Sequence, residues 1–210
     1  MKKAIIFDFD YTLGDSTDGI VASINFALEK MNLGTASRDR IAKTIGLSLE
    51  ESYQVLTGRT DSGEKAIFKT YFREKADEVM VKNTRLYDGV KEMLTQLHEK
   101  GKKTAIVTTK YRFRIEEILA VNQIEHFIDA IIGGEDVQNP KPDPEGIEKI
   151  KAQFGISPED ILYVGDSIVD AKTARSAGVD FIAVLTGTTS AEDFQSYPYL
   201  KILNRAAELV

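Results

Sequence analysis

The sequence predicts an α/β protein with a central parallel sheet and one helical insertion. The chain begins with an apolar run that lacks polar alternation, Ala4–Phe7, and such a run is typical of a strand buried on both faces. Residues 15–85 carry only helical patterns, whereas helical and strand patterns alternate from residue 86 onward. Strands separated by helices of about ten to fifteen residues are typical of βαβ units in a doubly wound parallel sheet.

The insertion is predicted from apolar residues that recur at helical spacing. The first helix carries this spacing at Ile20, Ile24, Ala27, Leu28 and Met31. A second short helix is predicted over residues 38–44, and a wide apolar stripe over residues 64–81 predicts a fourth. Between them, Ser48 and Glu51 have the spacing of a capping box that begins a third helix.

Further strands are predicted where short apolar segments follow helical ones. They are residues 104–108, 130–132, 161–164, 181–185 and, as a short sixth strand of the sheet, 201–203. We therefore expect a discontinuous α/β core of residues 1–14 and 86–210, and an all-helical domain of residues 15–85.

Composition narrows the classes of function. The formal net charge of −6 and the pI near 5.1 argue against a nucleic-acid surface. The absence of cysteine excludes disulfides and thiolate chemistry. Lys2 and Lys3 imitate the start of a signal peptide, but Asp8 ends the apolar run too early and no later stretch is long enough to span a bilayer. We expect a cytoplasmic monomer or weak dimer that binds neither nucleic acid nor membrane.

Polar residues gather at the predicted carboxyl ends of the strands, where open α/β sheets bind ligands. Asp8 and Asp10 point the same way from an extended chain, and two such charges repel unless a cation, a shared proton or a reaction uses them. The other strand-end groups are Thr108, Thr109, Lys110, Lys141, Asp166, Ser167 and Asp170. Each alone is also compatible with a helix cap or a solvated loop, but together they predict one converging site.

Four motifs in this order resemble those of the haloacid dehalogenase superfamily, specifically its phosphatase branch with a helical cap after the first motif. The matching residues are Asp8–Thr12, Thr108, Lys141 and Gly165–Asp170. Segments that resemble the phosphoglycolate phosphatase-like group are Ile45–Leu49, Thr84–Gly89 and Asn139–Pro144. The resemblance covers essentially the whole chain and implies a Rossmann-like three-layer core with a cap domain inserted after the first strand.

The resemblance implies an Mg²⁺-dependent phosphomonoesterase that acts on a small phosphorylated metabolite. Asp8 would be the nucleophile that forms an aspartyl-phosphate, Asp10 the general acid and base, and Lys141 the group that offsets negative charge. The residues implied in phosphate binding are Thr108, Lys141 and the backbone N–H groups near Phe9 and Thr109. Those implied in binding Mg²⁺ are Asp8, the Asp10 carbonyl, Asp166 and, directly or through the metal's waters, Asp170.

The resemblance also suggests where specificity arises. A cap hinged beside the nucleophile closes over the substrate, and Gly46, Leu47 and Ser48 are its candidate specificity residues. The same loop is equally compatible with a simple turn that begins the third helix. Relatives usually have glycine in place of Tyr11, and tyrosine disfavours positive φ, so we expect ordinary backbone geometry there. Its ring would narrow the pocket at the cap mouth or face the surface without effect.

Three other functions remain open at this point. A phosphosugar mutase of the β-phosphoglucomutase type uses the same aspartyl-phosphate, although Thr12 weakly favours a phosphatase. Inorganic pyrophosphate is a possible substrate. A non-catalytic binding module on the same fold is expected to lose at least one of the matching residues, and none is missing. A dehalogenase would leave Asp10 unexplained.

Overall fold

The computed structural model describes residues 2–210, which form two compact units. One unit comprises residues 2–15 and 86–210, and the other comprises residues 16–85. The strands are β1 (Ala4–Phe7), β2 (Gly14–Asp15), β3 (Arg85–Leu86), β4 (Lys103–Val107), β5 (Ala130–Ile132), β6 (Ile161–Gly165), β7 (Asp180–Val184) and β8 (Lys201–Leu203). The helices are α1 (Thr17–Lys30), α2 (Arg38–Ala42), α3 (Leu49–Thr57), α4 (Ser62–Val79), α5 (Val90–Glu99), α6 (Arg112–Val121), α7 (Glu145–Phe154), α8 (Ile168–Ala177) and α9 (Ala191–Phe194).

The larger unit is built on a six-stranded sheet in the order β5-β4-β1-β6-β7-β8. Every pairing in it is parallel, and β1 lies between β4 and β6. All four residues of β1 are buried, as the uninterrupted apolar run predicts. The prediction of an α/β fold with a central parallel sheet, including the short sixth strand, is confirmed. The two-residue strands β2 and β3 pair separately and were not predicted.

Side chains alternate between two covered faces of this sheet. Ala4 and Ile6 of β1 lie in a core cluster with Ile147 and Ile150 of α7 and with the alanines of α8. Ile5 and Phe7 are also buried and point to the opposite face, where α5 and α6 contact the sheet. The sheet is therefore the middle of three layers, with buried apolar side chains on both of its faces.

The smaller unit is a helical bundle with its own core. Apolar residues of its four helices, among them Ile24, Ile41, Tyr53 and Phe68, form one buried cluster. Gly19 of α1 lies close to Met80, since an added Cβ would come within 3.2 Å of the Met80 Cα. Such close backbone approach requires a small side chain. Among residues 2–210, no helix is long and apolar enough to cross a membrane.

Helix ends largely follow the capping signals in the sequence. Ser48 forms the capping box with Glu51 at the start of α3, and Ser167 forms another with Asp170 at the start of α8. Helix α7 starts at Glu145. The residues before it form the loop that carries Lys141.

Candidate active site

The parallel sheet brings the predicted site residues of the larger unit together. Asp8 directly follows β1, Thr108 follows β4, and Asp166 follows β6. Because β4 and β6 are the two hydrogen-bonded neighbours of β1, their carboxyl ends lie at the same edge. All three side chains are buried. The polar strand ends therefore form one cluster.

Three buried carboxylates lie at the centre of this cluster. Oxygen atoms of Asp8, Asp166 and Asp170 all lie within 4.8 Å of one another. Burial raises the pKa of Asp8 to about 7, and the Lys141 ammonium opposes that rise. Burial, followed by the charges of Asp170 and Asp8, also raises the pKa of Asp166 well above its ordinary value. This concentration of negative charge is suited to a bound cation.

Lys141 is the main positive charge among these carboxylates. Its Nζ lies 3.0 Å from Oδ2 of Asp8 and 2.7 Å from Oδ1 of Asp170. Burial alone would lower the pKa of Lys141, but the charges of Asp170 and Asp8 outweigh it and raise the pKa above its ordinary value. The lysine is therefore protonated where it contacts Asp8.

Asp170 is held on both carboxylate oxygens by other residues of the chain. Oδ1 accepts hydrogen bonds from Lys141 and from the Tyr163 hydroxyl, whose oxygen lies 2.8 Å away. Oδ2 accepts from the backbone N–H of Ser167 at 3.1 Å and from its hydroxyl at 2.6 Å. Asp170 thus anchors Lys141 and the start of α8. Tyr163 was not predicted, because a tyrosine within an apolar strand signals only burial.

Asp10 lies in a different environment from Asp8. Its Oδ2 is 3.1 Å from Nζ of Lys110, and both side chains are buried. Its Oδ1 is buried and has no hydrogen-bond partner among residues 2–210. One oxygen is therefore fixed by an ammonium, while the other is available to a reacting group. The sequence placed Lys110 at a strand end but did not predict its pairing with Asp10.

The predicted phosphate-binding groups near Phe9, Thr108 and Thr109 form hydrogen bonds or packing contacts with nearby residues. The Phe9 N–H donates to Oδ1 of Asp8 at 2.7 Å, so in this structure it orients the carboxylate. The Thr108 hydroxyl oxygen accepts from the Lys110 N–H at 3.3 Å. Thr109 is packed tightly, since a Cβ added to Gly134 would lie 2.4 Å from its carbonyl oxygen. Thr108 and Thr109 therefore lie in the loop that also positions Lys110.

Asp166 is positioned by two further residues at this edge. The Thr12 hydroxyl donates to its Oδ1 at 3.3 Å. Gly187, in the loop after β7, leaves space for its other oxygen, because an added Cβ there would lie 1.9 Å from Oδ2. Only glycine accommodates that approach. Gly187 was not predicted, since a glycine after a strand ordinarily indicates a turn.

Tyr11 corrects one expectation. Its φ is +60°, in the left-handed region that tyrosine was expected to avoid. The chain holds it there by hydrogen bonds on both sides, from the Tyr11 N–H to the Gly14 carbonyl at 2.8 Å and from the Thr186 hydroxyl to the Tyr11 carbonyl. Its side chain is buried, which excludes the surface-facing alternative.

The candidate specificity residues of the smaller unit lie in the loop between α2 and α3. Gly46 has a φ of +95°, and Leu47 follows it in the same turn. The Ser48 hydroxyl is used to cap α3, where it accepts from the Glu51 N–H. This local role accounts for Ser48 without a ligand.

The donor set fits a hard divalent cation. The three carboxylates, Asp8, Asp166 and Asp170, provide oxygen ligands, which Mg²⁺ and Ca²⁺ prefer, and the chain has no cysteine to favour a softer metal. The single positive charge of Lys141 does not balance the negative charges of these three carboxylates. Both oxygens of Asp170 already accept hydrogen bonds, and those of Asp8 are engaged by the Phe9 N–H and the Lys141 ammonium.

Fold and site together define the class of protein. Residues 5–184 match the family model described as haloacid dehalogenase-like hydrolase, and the chain belongs to this family. The predicted family, its phosphoglycolate phosphatase-like group and the prediction of an enzyme are confirmed by this match and by the relatives.

The relatives include phosphatases of two kinds. The chain is 31% identical to a phosphoglycolate phosphatase of Haemophilus influenzae, over 88% of this chain and 86% of that protein. It is 28% identical to pyrophosphatase PpaX of Bacillus velezensis, over 99% of this chain and 94% of that protein. A solved structure from Bacteroides fragilis, described as a haloacid dehalogenase-like hydrolase, is 42% identical with a TM-score of 0.97, and each chain is covered completely.

Proposed function

We propose that this protein is an Mg²⁺-dependent phosphomonoesterase that acts on a small phosphorylated metabolite through an aspartyl-phosphate. The observation that carries this proposal is the contrast between two buried carboxylates. Asp8 is oriented by the Phe9 N–H and by Lys141, whereas Asp10 is held by Lys110 at one oxygen and has no hydrogen-bond partner at the other among residues 2–210. These different environments support Asp8 as the nucleophile and Asp10 as the acid and base.

In the first half-reaction, an Asp8 carboxylate oxygen attacks phosphorus and the bond from phosphorus to the leaving oxygen breaks. Asp10, protonated at that stage, gives its proton to the departing alkoxide, which leaves as an alcohol. Lys141 stabilises the charge on Asp8 and on the transferring group. The products are the free alcohol and phosphorylated Asp8.

In the second half-reaction, Asp10 takes a proton from water, and the water oxygen attacks phosphorus. The bond between phosphorus and Asp8 breaks, which releases inorganic phosphate and restores the carboxylate. A single carboxyl group therefore acts first as acid and then as base. Two moderate displacements replace one difficult displacement.

Asp8, Asp166 and the Asp10 carbonyl would hold Mg²⁺, with Asp170 reaching it directly or through water. When bound, the ion neutralises phosphoryl charge and balances the excess of carboxylates. Thr12 and Gly187 keep Asp166 in position, and Ser167 keeps Asp170 in position. The chain's own hydrogen bonds thus arrange the ligands.

We propose that residues 15–85 form a cap that controls access and specificity. The support is that this segment is compact in itself, with a separate apolar core. Gly46, Leu47 and Tyr11 are the proposed specificity residues. Leu47→Ala is expected to change the relative KM values of different substrates more than it changes the rate of hydrolysis of a small activated ester.

The relatives support a small phosphorylated substrate, and a panel of compounds tests this proposal. Phosphoglycolate, sugar phosphates, nucleotides and inorganic pyrophosphate would be compared by phosphate release at saturating Mg²⁺. Pyrophosphate is included because of the relative named pyrophosphatase PpaX. We expect the highest kcat/KM for a small phosphomonoester. Release of an isomerised sugar phosphate without free phosphate would identify a mutase and overturn the proposal.

A further inference from the structure

Tyr163 connects the apolar core to the catalytic cluster. It is the third residue of β6 and is fully buried among core residues of the larger unit. Its hydroxyl oxygen lies 2.8 Å from Oδ1 of Asp170, 3.2 Å from Nζ of Lys141 and 3.4 Å from the carbonyl oxygen of Val107. The ring belongs to the core, but the hydroxyl contacts the active-site lysine.

The hydrogen-bond directions follow from the number of protons. A lysine ammonium has three N–H donors, and Lys141 has three acceptors within reach: Asp8, Asp170 and Tyr163. When Tyr163 accepts from Lys141, its own proton is directed to Asp170, the nearer of its two acceptors. Burial, followed by the charge of Asp170, raises the pKa of Tyr163, so the hydroxyl keeps this proton.

We propose that Tyr163 is a positioning residue that fixes the ammonium of Lys141 against Asp8. With all three donors directed, the ammonium cannot rotate freely or shift towards Asp170 alone. The consequence for catalysis rests on the proposed function, in which Lys141 stabilises charge on Asp8. A displacement of about 1 Å in such a group costs up to about 100-fold in rate.

A matched control separates this role from ordinary packing. Tyr53 is also fully buried, and its hydroxyl lies 2.9 Å from Oε2 of Glu64 in the helical unit. Tyr163→Phe and Tyr53→Phe therefore each remove one hydrogen-bonded hydroxyl and leave the ring in place. Some loss of stability is expected in both variants, since each loses one hydrogen bond.

The first test measures kcat and KM of both variants with Mg²⁺, at a temperature where each is folded. We expect Tyr163→Phe to lower kcat about 10-fold with KM within about twofold of wild type, because positioning acts on the transition state. Tyr53→Phe is expected to keep the wild-type kcat. Equal kcat in wild type and Tyr163→Phe would overturn the inference.

The second test reads the contact without activity, by NMR of the protein labelled with ¹⁵N-lysine. The side-chain signal of Lys141 would be assigned by its absence in Lys141→Arg. We expect a slowly exchanging ammonium signal in wild type and in Tyr53→Phe, and its broadening or loss in Tyr163→Phe. An unchanged signal in Tyr163→Phe contradicts the inference. A lost signal in a protein that hydrolyses no phosphate compound would support the contact and overturn the proposed function.

Discussion

Nζ of Lys110 lies 3.1 Å from Oδ2 of Asp10, and both side chains are buried at the edge of the sheet. The lysine contacts the carboxyl group proposed as acid and base, while Lys141 contacts the proposed nucleophile, Asp8. Each of the two proposed catalytic carboxylates therefore has its own ammonium partner. This division gives the two groups different environments although only Phe9 separates them in sequence.

Replacing Lys110 by methionine is expected to lower kcat by about 10- to 100-fold, because Asp10 loses the partner that fixes it. Breaking a buried ion pair also costs about 3–5 kcal/mol of unfolding free energy, since it leaves one charge uncompensated. Lys110→Arg keeps the charge and is expected to retain more activity. Kinetics and urea unfolding measure both effects.

The control for that variant is Lys75→Met, which removes a helical ion pair with Glu78 on the surface. We expect its unfolding free energy to change by less than about 1 kcal/mol, as is usual for exposed pairs. A Lys110→Met variant with wild-type kcat would show that Asp10 does not depend on Lys110.

Asp8→Asn is expected to flatten the pH dependence of stability in the metal-free protein. Burial raises the pKa of Asp8 from 3.8 to about 7, so the folded state binds this proton more tightly than the unfolded state does. Stability is therefore lost as pH rises from about 4 to about 7. In EDTA at pH 8, we expect the unfolding free energy of the variant to exceed that of wild type by a few kcal/mol. The reason is that one pKa unit corresponds to about 1.4 kcal/mol.

Urea unfolding at several pH values measures this difference. The advantage of Asp8→Asn is expected to shrink as the pH is lowered, because protonation neutralises the wild-type carboxyl group as well. Parallel stability curves for the two proteins would mean that Asp8 has an ordinary pKa.

Gly187→Ala is expected to weaken binding of Mg²⁺, because the added Cβ would lie 1.9 Å from Oδ2 of Asp166. The measurement is the shift in Tm that Mg²⁺ produces, which reports binding to the folded state. Gly146→Ala is the control: its Cβ would lie 2.6 Å from Cγ1 of Val107 in the core. It is expected to lose stability but keep the shift. A full Mg²⁺ shift in Gly187→Ala would contradict the assignment of Asp166 to the metal site.

Replacing Tyr11 by glycine is expected to destabilise the protein less than replacing it by alanine, which reverses the usual order of these two residues. Both Tyr11→Gly and Tyr11→Ala lose the buried ring and are expected to be less stable than wild type. Alanine keeps the cost of the left-handed conformation, about 1–2 kcal/mol, and glycine removes it. We therefore expect the glycine variant to be about 1 kcal/mol more stable than the alanine variant by urea unfolding. The opposite order would contradict the φ of +60° at this position.

The sequence predicts the parts of the site that depend on topology. Asp8 and Asp166 directly follow buried strands, and parallel pairing alone brings such residues to one edge. The contacts of Tyr163, Lys110 and Gly187 depend on side-chain reach across strands, which no spacing along the chain specifies. At each of these three positions, burial, charge or a turn is enough to explain the residue locally. The sequence pattern therefore does not indicate the contact.

The prediction for Tyr11 was wrong for a different reason: a valid local steric preference is outweighed by tertiary contacts. Steric preference predicts an ordinary φ for tyrosine, but hydrogen bonds to Gly14 and from Thr186 fix the backbone on both sides. Burial of the ring adds to these interactions. Local preferences of about 1–2 kcal/mol are overcome when several tertiary contacts act on the same residue.

The most direct test of the account is phosphate release from p-nitrophenyl phosphate and acetyl phosphate by wild type and Asp8→Asn, each with Mg²⁺ and with EDTA. We expect activity only in the wild type with Mg²⁺, together with a covalent phosphoryl adduct on Asp8 that appears on rapid quenching. Equal phosphate release by both proteins, or hydrolysis that persists in EDTA, would contradict the assignment of Asp8 as the nucleophile of a metal-dependent phosphatase.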